Sequence, residues 1–72
     1  MMKGDIGKRS FEETVRICNE RKIPKTEICA EMGIITSSIY HWKYGDVDPS
    51  AMILAELMKE GADMKYVLLG ER

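Results

Sequence analysis

Side chains able to bind a nucleic acid are concentrated in residues 32–45 of this 72-residue chain. His41 has Tyr40, Lys43 and Tyr44 as neighbours, and the whole segment lacks Asp and Glu. A segment without carboxylates can approach phosphates without electrostatic repulsion. This pattern favours a nucleic-acid contact at His41. The alternatives are a histidine that is only solvated, and no contact at all for Lys43 and Tyr44.

The net charge argues against a nucleic-acid partner, but the distribution of charge does not. The formal net charge is −1 at pH 7, whereas nucleic-acid-binding domains usually carry a basic excess. Residues 1–25 contain seven Lys or Arg and four Asp or Glu, while residues 26–72 contain four and eight. Two basic pairs indicate either a solvated face or further phosphate contacts: Lys8 with Arg9, and Arg21 with Lys22.

Catalytic and metal-binding chemistry are not expected. The single histidine and the two cysteines, Cys18 and Cys29, are too far apart in sequence for zinc-ligand spacing. No nucleophile–base pair or phosphate-binding loop is present. Both cysteines lie in apolar helical patterns, so we expect free structural thiols rather than a disulfide. The sequence therefore predicts no enzyme activity, no metal and no cofactor.

The composition, with 44% hydrophobic and 32% charged residues, is typical of a globular domain. No apolar run approaches the roughly 20 residues of a membrane-spanning helix. Residues 1–5 are not followed by the apolar core of a signal peptide. We expect a cytoplasmic protein with no membrane contact.

Local signals predict five helices and no strand, hence an all-α fold. Ser10 followed by Glu13 is a capping box that predicts a helix ending near Arg21. Residues 1–9 are then a flexible N-terminal arm and residues 10–72 the folded domain. Turn and capping residues delimit four further helices: 25–32 before Gly33, 36–43, one capped by Asp48 and stopped by Gly61, and one between Asp63 and Gly70.

The predicted core follows the helical spacing of apolar residues. Ile39 and Trp42 lie three residues apart and should face inward. The methionines favour ordinary core over a flexible peptide-binding surface: Met32, Met52, Met58 and Met64. The other inward residues expected in the last two helices are Ile53, Ala55, Leu57, Val67 and Leu68.

Residues 25–44 resemble the helix-turn-helix of the lambda-repressor-like superfamily, the xenobiotic-response-element regulators. The positions that match are Ile28, Cys29, Met32, Gly33, Ile34, Ile39 and Trp42. Two steeply crossed helices need a small residue at their contact, a turn residue that tolerates positive φ, and inward apolar residues. Residues 61–71 also look like the ending of the phage repressor branch. The resemblance covers residues 11–71.

This resemblance implies a compact five-helix DNA-binding domain that inserts residues 36–43 into the major groove. The side chains expected to read base edges are Thr36, Ser37, Tyr40 and His41. Those expected to contact phosphates are Lys25, Thr26, Ser38, Lys43 and Tyr44. Two features depart from the family pattern. Ile35 replaces the usual Ser or Thr cap, so Thr36 is expected to cap instead, and the helix lacks an arginine or paired glutamines for strong base contacts.

The resemblance further implies a transcriptional regulator, a phage- or prophage-type repressor that is nucleoid-associated when bound to double-stranded DNA. Family members of this length act as homodimers on palindromic operators with half-sites about one helical turn apart. The chain would be either a stand-alone Cro-type repressor or the amino-terminal piece of a longer one. The rival interpretation is a protein–protein adaptor or antirepressor that keeps the fold without binding DNA, which the net charge favours.

Overall fold

The computed structural model describes residues 4–72, which form five helices and no strand, as predicted. Helix α1 spans Asp5–Arg21, α2 Lys25–Met32, α3 Thr36–Tyr44, α4 Ala51–Lys59 and α5 Met64–Leu69. None of these helices is long and apolar enough to cross a membrane. The long α1 packs against α2, α3 and α5 and forms the centre of the fold.

Helix α1 begins at Asp5, so the predicted start at Ser10 is wrong. Ser10 is completely buried inside the helix, and its Oγ donates to the carbonyl oxygen of Ile6 at 2.7 Å. A serine that bonds back to the preceding turn does not need to act as a cap. Residues 5–9 therefore belong to α1 rather than to a flexible arm, and residues 1–3 lie outside the described part of the chain.

Asp48 stabilises the start of α1 instead of α4. Its Oδ1 accepts a hydrogen bond from the Gly7 backbone N–H at 2.8 Å, which satisfies one of the donors left free in the first turn of a helix. The predicted cap of α4 at Asp48 is thus wrong. Ser50 caps α4, accepting from the Ile53 N–H at 3.3 Å.

Gly7 allows α1 to approach the backbone of the segment after α3. A Cβ placed on Gly7 would lie 2.7 Å from the Val47 carbonyl oxygen and 3.2 Å from the Trp42 Cα. Both are backbone atoms, which cannot rotate away as a flexible side chain can. The contact therefore depends on the absence of a side chain at this position.

Gly7→Ala should lower the free energy of unfolding by about 1–3 kcal/mol through overpacking. In an unconstrained helix interior the same change would stabilise by up to about 1 kcal/mol, so the sign is diagnostic. Urea denaturation followed by circular dichroism measures the effect. Asn19→Ala, at an exposed site on the same helix, is the control. A Gly7→Ala protein at least as stable as wild type would show that the close approach is not needed.

The core contains residues from every helix. Its most buried apolar side chains are Ile17, Cys18, Ile28, Cys29, Met32, Ile39, Trp42, Leu57 and Val67. Trp42 is only 3% exposed, as its spacing from Ile39 predicts. Cys18 and Cys29 are free thiols, and burial raises the pKa of each. Both therefore behave as small apolar residues at neutral pH.

Helix α4 contains more apolar residues than it can bury. Ile53 and Leu57, one turn apart, face the core, whereas Met52 and Met58 are 80% and 59% exposed. The prediction that these two methionines belong to the core is wrong, and so is that for the exposed Ala55. Ala55 falls opposite Ile53 and Leu57, whereas Met52 and Met58 each lie about 100° round the helix from the nearer of these two residues. In α5, Val67 is buried as predicted but Leu68 is 38% exposed.

A buried carboxylate connects α1 to α5. Glu13 is inaccessible to solvent, and its Oε1 accepts from the Asp63 backbone N–H at 2.7 Å. Arg16 donates from Nη2 to Oε1 at 2.9 Å and from Nε to Oε2 at 3.0 Å. Asp63 also caps α5, as predicted, by accepting from the Tyr66 N–H. The predicted capping residue Glu13 is therefore a central polar group of the core.

Candidate nucleic-acid interface

A three-residue turn connects α2 to α3. Gly33 has a φ of 75°, and its N–H donates to the Ala30 carbonyl at 3.1 Å. The next N–H, of Ile34, donates to the Cys29 carbonyl at 3.0 Å. These two bonds form a Schellman motif, which ends a helix at a left-handed residue. Gly33 is thus the terminator that the sequence predicts.

Helix α3 begins without a side-chain cap. Its N-cap residue is Ile35, which is 72% exposed, and Thr36 is the first residue with helical geometry. The prediction that Thr36 takes over the cap is therefore wrong. The Thr36 side chain is partly buried, and within the described part of the chain no side chain bonds to the free N–H groups at the start of α3.

Burial of one side of α3 leaves the other side exposed. Ile39 and Trp42 anchor the helix in the core, and the ring of Tyr40 packs against Phe11 of α1 with centroids 5.6 Å apart. Ser37 and His41 are exposed and lie one turn apart on the same face. The structure brings these two base-reading candidates together, whereas the other two, Thr36 and Tyr40, are partly buried.

Lys43 lies among three aromatic rings near the end of α3. Its Nζ is 5.6 Å from the ring centroid of Phe11, 6.0 Å from that of Tyr40 and 5.7 Å from that of Tyr44. A lysine ammonium within about 6 Å of a ring is attracted to its π face. Tyr44 is 67% exposed. These contacts hold the Lys43 charge at the surface beside the exposed face of α3.

The remaining phosphate candidates lie at helix starts. Lys25 and Thr26 are in the first turn of α2, where Lys25 is partly buried and Thr26 exposed. Ser38 is partly buried in the first turn of α3. First-turn residues surround backbone N–H groups that have no partner within the helix. Such positions suit a phosphate contact.

The basic pairs outside α3 are divided between internal contacts and the surface. Arg9 donates from Nε to the Val67 carbonyl at 3.0 Å, and Arg21 Nη1 lies 2.6 Å from Glu60 Oε1. Both arginines therefore fasten α1 to the carboxy-terminal half of the fold. Lys8 is exposed and lies over Gly45, since a Cβ there would be 3.1 Å from Lys8 Cε.

A contact between His41 and Asp46 at the end of α3 was not predicted from the sequence. The Nδ1 of His41 lies 3.3 Å from the Asp46 Oδ2, and the two side chains are 59% and 60% exposed. In the sequence Asp46 lies just outside the acid-free segment, and no spacing rule used above pairs it with His41. Gly45 was the available signal, because a glycine terminator fixes where the following residue lies.

Comparison of the chain with protein-family models, with curated proteins and with solved structures yields no match. Within residues 4–72 no group of three or more His, Cys, Asp or Glu side chains is placed to hold a metal ion. The interpretation of this surface therefore depends on its geometry and charge.

Proposed function

We propose that this chain is a sequence-specific double-stranded DNA-binding protein of the lambda-repressor-like helix-turn-helix type that regulates transcription. The observation that carries the proposal is the division of α3, which buries Ile39 and Trp42 and exposes Ser37 and His41. A nine-residue helix is about 14 Å long. The major groove is about 12 Å wide and admits one helix, whose exposed side chains then reach the base edges.

The charge around α3 also supports a DNA contact. Residues 32–45 carry no carboxylate, and the ammonium groups of Lys43 and Lys8 lie near the end of the helix, where the carboxylate of Asp46 lies beside His41. Together with Tyr44 and Ser38, and with Lys25 and Thr26 of α2, the two ammonium groups would contact phosphates and set the position of the protein on the duplex.

The base-reading role falls mainly on two side chains. Ser37 can donate to or accept from a base edge, and His41 projects one turn further along the same face. Thr36 and Tyr40 are partly buried, so they would contribute through their exposed edges. The proposed reading surface thus contains few groups, and one copy of α3 would specify only a short run of base pairs.

A second copy of the chain would extend the recognised sequence. We propose that the protein binds a palindromic operator as a homodimer, with half-sites about one helical turn apart, and acts as a phage- or prophage-type repressor. Analytical ultracentrifugation with the operator present would give two chains per duplex. One chain per duplex would contradict the dimer without contradicting DNA binding.

The alternative function is that of a protein–protein adaptor or antirepressor. The net charge of −1 and the exposed side chains of Met52 and Met58 favour it. Such a protein would keep the five-helix fold, but α3 would not contact DNA bases. The two functions differ in the salt dependence of binding to duplex DNA, because only a phosphate-binding protein releases condensed counterions.

Lys43→Ala should reduce the slope of log affinity against log salt concentration by about 0.9, the value for one phosphate contact. The affinity for operator and for random duplex should fall alike, since a phosphate contact does not depend on sequence. Fluorescence anisotropy over a series of salt concentrations measures both. Lys65→Ala is the matched control, because Lys65 lies on α5 and pairs with Glu71. If wild-type protein fails to bind any duplex at low salt, the adaptor function is favoured.

A further inference from the structure

The end of α3 places Asp46 beside His41 by backbone geometry. Gly45 has a φ of 79°, and its N–H donates to the Trp42 carbonyl at 3.1 Å. The Asp46 N–H donates to the His41 carbonyl at 3.0 Å. This is a second Schellman motif, in which the residue after the glycine contacts the residue five positions earlier. This backbone geometry brings His41 and Asp46 close enough for their side chains to make contact.

The contact with the Asp46 carboxylate determines which ring nitrogen of a neutral His41 carries the proton. An ionised carboxylate can only accept hydrogen bonds, so the imidazole nitrogen facing it must be the donor. The nitrogen that faces the Asp46 Oδ2 is Nδ1, at 3.3 Å. In a neutral imidazole with the proton on Nδ1, Nε2 has a lone pair and is an acceptor.

We infer that Asp46 is a positioning residue that fixes the tautomer of His41, so that its Nε2 accepts a hydrogen bond from DNA. This inference rests on the proposed DNA-binding function. In the major groove the only base donors are the exocyclic amino groups, N6 of adenine and N4 of cytosine. His41 therefore selects a base with an amino group at the position it faces, and disfavours guanine and thymine, which present only acceptors there.

The tautomer can be measured without DNA. The chain contains one histidine, so the nitrogen-15 NMR spectrum of labelled protein reports His41 alone. At pH 8 we expect the proton on Nδ1 and the lone pair on Nε2 in wild type. In Asp46→Ala the constraint is removed, and the signals of both nitrogens should move toward a mixture of tautomers. A wild-type proton on Nε2, or an Asp46→Ala spectrum identical to wild type, overturns the inference.

The base preference is measured on duplexes that wild-type protein selects from a library with a randomised centre. One base pair of each half-site should show adenine or cytosine preferred by about 5-fold, the effect of one neutral hydrogen bond. This preference should be lost in His41→Ala and weakened in Asp46→Ala, and it should fall when that base is replaced by an analogue without the amino group. Ser37→Ala should alter a different base pair.

Asp46→Ala also removes a negative charge, which raises the affinity for DNA of any sequence. A second variant that removes the same charge elsewhere corrects for this effect. Glu27→Ala removes the same charge from an exposed site on α2, and each preference is expressed relative to random duplex. If Asp46→Ala keeps the wild-type preference while binding DNA, Asp46 does not position His41 and the inference is wrong. If wild type binds no duplex at low salt, the proposed DNA-binding function is wrong, and the inference about base selection is wrong as well.

Discussion

Trp42→Ala should lower the free energy of unfolding by about 3–5 kcal/mol, the usual effect of truncating a buried aromatic side chain to alanine. Trp42 is 3% exposed and lies in the core beside Ile39. Its backbone also borders Gly7 of α1, so a cavity here would loosen the contact between α1 and α3. Domains of this size rarely exceed about 3–5 kcal/mol of stability from one core, so most of the variant should be unfolded.

Far-ultraviolet circular dichroism during heating or urea titration measures this loss, and it does not depend on tryptophan fluorescence. Tyr44→Ala is the matched control, because Tyr44 is an aromatic residue of the same helix that is 67% exposed. The control should melt close to wild type. A Trp42→Ala protein that melts normally would refute both the burial of this residue and the alignment with the helix-turn-helix pattern.

The features predicted correctly depend on residues close together in sequence. Gly33 ends α2 because its positive φ suits glycine, and Asp63 caps α5 by accepting from an N–H three residues later. Trp42 was assigned to the core from its spacing to Ile39 and from the resemblance to the helix-turn-helix pattern. Each of these interactions joins residues within one or two helical turns of each other, so the local sequence is enough to predict it.

The errors in α1 and α4 concern contacts between distant segments. One N–H of the first turn of α1 is bonded to Asp48, which is 41 residues from Gly7, and the local pattern gave no sign of this contact. In α4 the apolar residues occupy more than one face, and only packing decides that Leu57 is buried while Met52 is exposed. Periodicity indicates that a helix is amphipathic, but a helix that is apolar nearly all round leaves its inward face undetermined.

The candidate interface divides in the same way. The acid-free segment and the outward placement of His41 follow from the sequence, because helical spacing separates it from Ile39 and Trp42. The aromatic surroundings of Lys43 include Phe11, a residue of another helix, and were not predictable. The pairing of His41 with Asp46 lay within reach of local reasoning, since Gly45 determines the geometry of the helix end.

Glu13 carries the most consequential polar contact that the sequence did not reveal, and its replacement gives the second large expected effect. The carboxylate is buried and bonded to the Arg16 side chain and the Asp63 N–H. Glu13→Gln keeps the shape, and its carbonyl oxygen can still accept from the Asp63 N–H. Its NH2 group replaces Oε2 and cannot accept from Arg16 Nε, and the charge that strengthens the remaining bond from Arg16 is lost. Hydrogen bonds to charged groups contribute about 1.5–3 kcal/mol, so a loss of that size is expected at pH 7.

The matched control for this change is Glu20→Gln. Glu20 also bonds to Arg16, four residues earlier on α1, but its side chain is 59% exposed. Exposed pairs of this spacing contribute about 0.3–0.5 kcal/mol. The two variants remove the same charge from partners of the same arginine, so the difference between them measures what burial and the additional hydrogen bonds contribute at Glu13.

The pH dependence of stability tests the charge of Glu13 directly. The hydrogen bond from Arg16 is the main cause that lowers the pKa of Glu13 below its ordinary value of 4.5, with the Asp63 N–H acting in the same direction and burial opposing them. A group whose pKa is lower in the folded state stabilises the fold above its unfolded pKa and loses that effect as the pH falls through the folded value. The stability difference between wild type and Glu13→Gln should therefore be constant above pH 4.5 and narrow below it, as measured by urea denaturation at each pH. A difference that stays the same into acid would mean that Glu13 stabilises the fold by its shape and not by its charge.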